Sequence, residues 1–91
     1  MRIRGFHWDD GNALHLELGH GIKPEEAEEV LAVSALFRRT RKGHYVALGP
    51  TVDGRFLTVV FDLTAGAIVR VITGWDMDSA EKRYWRKNKG K

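Results

Sequence analysis

A guanidinium set among strand hydrophobes needs a carboxylate partner or an anionic ligand. Two such arginines mark this chain: Arg55 at the entry to the run FLTVVF, and Arg70 between Val69 and Val71. The planar fork of arginine keeps its charge and binds phosphate oxygens in pairs, so both positions suit a phosphate. Further basic charge is gathered in two clusters. Arg38, Arg39, Arg41 and Lys42 form one; Lys82, Arg83, Arg86, Lys87, Lys89 and Lys91 form the other, with no acid after Glu81. Residues 1–37 carry three basic side chains against seven acidic ones, so the formal net charge of +3 hides a strong asymmetry. Such clusters are the electrostatic footprint of a polyanion, nucleic acid being the commonest. The plain alternative is a solvated helix face and a frayed tail.

Two tryptophans, Trp75 and Trp85, flank the second cluster. They either stack on unpaired bases or form an apolar patch that a partner covers. The histidines at 7, 15, 20 and 44 do not spell a metal site: His15 and His20 are five apart, which misses the i, i+4 spacing of two ligands on one helix face. No metal or other cofactor is expected. The absence of cysteine removes disulfides, thiol nucleophiles and zinc–thiolate sites together.

These side chains need a scaffold, and 91 residues, 43% of them hydrophobic and nine aromatic, suffice for one domain with a modest core. A surface groove or a partner interface suits that size better than a deep cavity. No run approaches the roughly 20 apolar residues of a membrane span, and Met-Arg-Ile-Arg-Gly lacks the apolar core of a signal peptide, so the cytoplasm is the expected compartment.

The centre of the scaffold is His44 to Gly74, three strand-like runs divided by Gly-Pro-Thr-Val-Asp-Gly and Thr-Ala-Gly. Along its middle run Leu57, Val59, Phe61 and Leu63 alternate with Phe56, Thr58 and Val60, so both sheet faces need cover. Residues 2–8 read as a short edge strand, and 35–41 as an outer strand ending in the basic cluster. Asp9 is placed to cap a first helix that ends at Gly19, with Leu14 and Leu18 as its stripe and Trp8 as a staple. Pro24 opens a second helix, with Ala27, Val30 and Leu31 inward and Glu28 and Glu29 in water. Asp78 with Glu81 forms a capping box for a basic third helix, after which 88–91 fray. The expected fold is α+β: a mostly antiparallel sheet of about four strands, two helices before it and one basic helix after.

In order along the chain, WDDGNALHLELGHGI, PEEAEEVL, YVALGPTVDGRFLTVVF and IVRVITGWDMDSAEKRYWRK resemble successive blocks of the BrnT family of toxins. Phe6, Trp8, Asp9, His20, Gly21 and Ile22 hold the positions of the family's opening signature. The resemblance covers nearly the whole chain. It implies a metal-independent ribonuclease of a toxin–antitoxin pair, with a compact RelE-like fold, RNA as substrate and a small DNA-binding antitoxin as partner; a homodimer is a further option. The chain departs from the family pattern at Asn12, Leu16, Gly19, Gly49-Pro50 and Trp75, several of which are usually basic.

On that reading Arg55 and Arg70 clamp the phosphate, and His20 or Tyr84 assists proton transfer, with His44 a second imidazole for the same task. Arg38, Arg39, Arg41, Lys42, Arg83, Arg86 and Trp75 hold the RNA. Each has a structural counterpart: Arg70 pairing with Asp62 or Asp76, Arg55 capping the hairpin beside Asp53, His20 holding a helix end, Tyr84 filling the core. The alternative function is a catalytically degenerate RNA-binding or antitoxin-binding module on the same scaffold, and a third is a protein–protein adaptor.

Overall fold

A computed structural model describes residues 2–32 and 36–89. The chain is α+β. In order it forms β1 (Gly5–Phe6), α1 (Asp10–His20), α2 (Pro24–Ala32), β2 (Leu36–Arg39), β3 (Tyr45–Pro50), β4 (Phe56–Thr64), β5 (Ile68–Asp76) and α3 (Ser79–Asn88). The sheet order is β1-β5-β4-β3-β2. It therefore has five strands rather than about four, and it is mixed, because β1 runs parallel to β5 while every other pair is antiparallel. The two helices lie between β1 and β2 rather than ahead of the whole sheet: a parallel pairing needs a crossover, and α1 and α2 occupy the chain that leaves β1. Of the outer strand expected over 35–41, Leu36–Arg39 is a strand and Ala35 lies outside the described residues. No helix among the described residues is long and apolar enough to cross a membrane.

Both faces of β4 are covered, as its alternation requires. Leu57, Val59 and Phe61 pack with Ala47, Val69 and Val71 against Leu16, Ile22, Ala27, Val30 and Leu31 of the α1–α2 layer. On the other face Leu48, Met77 and Trp85 make a smaller cluster, flanked by Leu36, Val46, Phe56 and Tyr84. The β4–β5 ladder carries one irregularity. Val60 pairs with Thr73 but Phe61 pairs with Val71, so Ile72 is an extra residue in β5 and the strand bends there. Gly74 is needed just beyond: a Cβ would stand 3.0 Å from the Thr58 carbonyl and 3.3 Å from Leu16 Cδ1.

Local signals succeed where a single residue decides them. Asp9 and Asp78 are N-caps, each completing a capping box, with Asn12 and Glu81 respectively. Three expectations are corrected. Helix α1 ends on Gly21, whose left-handed φ of 65° gives the cap expected of Gly19. Leu14 and Leu18 are 52% and 80% exposed, while Asn12 and Leu16 face inward; a stripe of two leucines does not say which side the sheet is on. Glu28 and Glu29 do not simply face water, since Glu28 accepts a hydrogen bond from the Trp8 indole at 2.6 Å and Glu29 one from the Val52 amide at 3.0 Å. At the far end Asn88 belongs to α3 and donates to the Tyr84 carbonyl rather than fraying, and Gly90 and Lys91 lie outside the described residues.

Candidate active site

Helix α1 runs beside the outer edge of β5, and buried Asn12 fastens the two together. Its side-chain oxygen accepts from the Asp9 amide, and its Nδ2 donates to the carbonyls of His7 at 3.0 Å and Val71 at 3.2 Å. Strand β1 pairs only with Ile68 and Val69, so from Arg70 onward it is α1 that borders β5. Between them lies an open groove of about 440 Å³ whose lining includes Gly11, His15, Arg70 and Ile72.

Two imidazoles converge at the bulge. The Nε2 atoms of His15 and His20 lie 3.3 and 3.2 Å from the Thr73 hydroxyl, and their rings meet edge to face with centroids 5.3 Å apart. A hydroxyl donates one hydrogen bond and accepts two, so Thr73 can give its proton to one ring while accepting N–H from the other. With both rings neutral that arrangement sets opposite tautomers, so Nδ1 of one ring is a donor and Nδ1 of the other an acceptor. From sequence His15 enters only as a metal ligand to be discounted. Five residues turn an α-helix by roughly 140°, which separates the rings on a helical wheel, and only the position of Thr73 beside the end of α1 brings them together. Among the described residues no group of three or more His, Asp or Glu side chains is arranged to hold a metal ion.

Arg70 stands in the same groove but pairs with neither Asp62 nor Asp76. Asp62 is its cross-strand neighbour, yet Asp62 bonds His44, while Arg70 Nη1 donates to Asp9 Oδ2 at 2.7 Å. Nε and Nη2 of Arg70 have no hydrogen-bond partner among the described residues, which leaves one edge of the fork for a ligand. The Arg70 hydrogen bond, helped by the Asn12 amide, holds the Asp9 carboxyl down to about 2. Because the folded value is depressed, the stabilisation from Asp9 is complete above about pH 4 and is lost as the pH falls through about 2. Asp9→Asn keeps a good N-cap oxygen but replaces the charged acceptor of Arg70 with an amide group. The variant is expected to lose that acid-side transition in a pH series of thermal melts.

Arg55 is a different case. Its Nε and Nη2 grip Asp76 at 2.8 and 3.0 Å, and its Nη1 donates to the Gly21 carbonyl at 2.8 Å and to both oxygens of Glu26 at 3.2 and 3.3 Å. These bonds raise the Arg55 pKa and lower that of Asp76. Every nitrogen of the fork is spent on tying the β3–β4 turn to the α1–α2 connector and to the end of β5. Asp76 is six residues along β5 from Arg70, roughly 20 Å at about 3.3 Å per residue, so the two arginines do not form one clamp. Arg55→Ala is expected to cost about 1–2 kcal/mol, since the exposed Asp76 regains water, and to lower the melting temperature by roughly 5–15 °C without touching the groove.

The other expected residues lie elsewhere. Tyr84 packs on the opposite sheet face, with the Arg38 guanidinium 4.8 Å from its ring centroid. Arg39 sits over Tyr45 on the helix-covered face, so the first basic cluster is divided between the two sides of an edge strand. Arg41 and Lys42 are exposed in the turn after it, and Arg83 and Arg86 are exposed on α3. Trp75 is 37% exposed, whereas Trp85 is buried at 8% and cannot stack on a ligand. His44 Nδ1 donates to the Asp62 carboxylate, and His44 is not among the residues that line the α1 groove. Of the four residues expected to do chemistry, Arg70 lines the groove together with His15, His20 meets His15 at the Thr73 hydroxyl, and Arg55 and Tyr84 lie elsewhere. Neither the family models nor the curated proteins compared with this chain match it.

Proposed function

We propose that the chain is a metal-independent endoribonuclease of the toxin kind, acting in the cytoplasm on a RelE-like scaffold of the BrnT type, with its site in the groove between α1 and β5. The observation that carries this reading is the pair of imidazoles on the Thr73 hydroxyl, with a half-free guanidinium in the adjoining groove. One neutral imidazole takes the proton from a ribose 2′-hydroxyl as its oxygen attacks phosphorus. The other, protonated, gives its proton to the departing 5′-oxygen as the P–O bond breaks, leaving a 2′,3′-cyclic phosphate. Arg70 faces the charge that gathers on the phosphoryl oxygens. The basic residues of the β2–β3 turn and of α3 supply salt-dependent attraction for the RNA strand.

Exposed Leu14 and Leu18 border His15 on the outer side of α1, and they suit a small antitoxin that would close the groove by covering them. The degenerate-module reading is favoured by one contact, the Asp9–Arg70 pair, whose carboxylate charge opposes a phosphate at the free edge of the fork. The histidines separate the two. His15→Ala and His20→Ala should each lower single-turnover cleavage of ribosomal or messenger RNA by about a hundredfold or more, with RNA affinity little changed. Binding without cleavage by the unaltered chain would favour the degenerate module instead.

A further inference from the structure

We infer that the groove between α3 and the second sheet face is a pocket for one unpaired nucleobase, and that it prefers a base whose edge donates hydrogen bonds, guanine above uracil. The inference rests on the proposed action on RNA and deepens it by naming what part of the strand is recognised.

Helix α3 is anchored to the sheet by Met77 and Trp85 against Leu48, and beside that anchor remains a groove of about 410 Å³. That is the size of a pocket for a small planar ligand. Val46 and Leu48 are among its lining, with Trp75 and Tyr84 contributing aromatic rings. Trp75 is held rigidly for an exposed tryptophan: its indole N–H donates to Glu81 at 3.0 and 3.1 Å, and Glu81 is itself fixed by the Thr58 hydroxyl and the Asp78 amide, both at 3.0 Å. A ring already fixed loses little freedom when a base stacks on it.

Charge divides the groove into two ends. Arg38 contributes the cation, stacked over Tyr84 and without an ion-pair partner among the described residues, and so can take the phosphate of a nucleotide whose base lies inside. Asp78 and Glu81 contribute carboxylates. Glu81 is fully used, but Asp78 spends only Oδ1 on its cap and keeps Oδ2 as an acceptor. Guanine offers a carboxylate two adjacent donors, N1–H and N2–H. Uracil offers one N–H between two carbonyls, which a carboxylate repels.

The test uses the full chain and two 2′-O-methyl hexanucleotides, one guanine-containing and one all uracil, neither of which has a 2′-hydroxyl to react. Binding is followed by the Trp75 indole and backbone N–H signals in NMR titrations. The guanine oligomer is expected to shift the Trp75 indole and the amides of Val46, Leu48 and Tyr84, and to bind about fivefold or more tightly than the uracil oligomer. Ala80→Trp, which fills the groove from an exposed position on α3, should weaken it about tenfold. Shifts confined to α1 and residues 70–73 of β5, equal affinity for both oligomers, or no shifts at all would overturn the inference. Cleavage of ordinary RNA by the same preparation is scored separately: cleavage without groove shifts removes only the pocket, and groove shifts without cleavage remove only the ribonuclease.

Discussion

Arg70→Ala is expected to lower metal-free RNA cleavage by about a hundredfold to a thousandfold while leaving the chain folded. The size of the effect follows from what the side chain faces. A phosphorane carries its extra charge on oxygens that a guanidinium can meet in pairs, and Arg70 has Nε and Nη2 uncommitted. Folding is spared because the capping box of Asp9 and Asn12 and the Asn12 bonds to His7 and Val71 do not involve Arg70. Arg70→Lys should recover part of the rate, since a point charge replaces the fork without its paired geometry. Single-turnover rates beside circular dichroism melts check this. Equal rates for Arg70→Ala and the unaltered chain would remove Arg70 from the site.

The largest effect on stability is expected at Phe61. Its side chain is fully buried at the centre of the helix-covered face, 5.6 Å from the stacked ring of Tyr45 and 6.2 Å from the edge-on ring of Phe37. Phe61→Ala removes the largest side chain of that core and leaves a cavity that neighbouring strands, fixed by their ladders, cannot close. The cost should be about 3–5 kcal/mol. A domain of this size holds roughly 5–15 kcal/mol in total, so the variant should melt roughly 15 °C or more below the parent and reach its urea midpoint far earlier. A loss of under about 1 kcal/mol would mean that the face is not the principal core.

Much of the scaffold is legible in the sequence because its signals are local. The Asp78–Glu81 box, Pro24 at the start of α2 and the Ala27, Val30, Leu31 stripe each depend on neighbours a few residues away, and each stands where the pattern puts it. The candidate site is legible only in part. His20 and Arg70 can be singled out by type and setting, but Asp9 as the partner of Arg70 is 61 residues away, and the meeting of His15 with Thr73 spans 58. Asn12 stands out in the sequence only as a departure from the pattern the chain resembles, and its place as the joint between α1 and β5 emerges once the Val71 carbonyl is opposite it. Arg55 shows the same limit in reverse. Its setting suits a phosphate clamp, yet three structural acceptors reach it first, and no spacing rule gives the distance from Arg55 to Gly21 or Asp76. The edge strand β1 is two residues long and parallel, too short for any periodicity to set its partner.

The most direct measurement is to incubate the purified chain in a chelating buffer with a defined RNA and to identify the ends of whatever forms. The α1–β5 mechanism predicts fragments ending in 2′,3′-cyclic phosphate with 5′-hydroxyl partners, no reaction on the same strand made with 2′-O-methyl sugars, and loss of the products in His15→Ala, His20→Ala and Arg70→Ala. Intact RNA at a molar excess of protein, or fragments bearing 5′-phosphate, would contradict it.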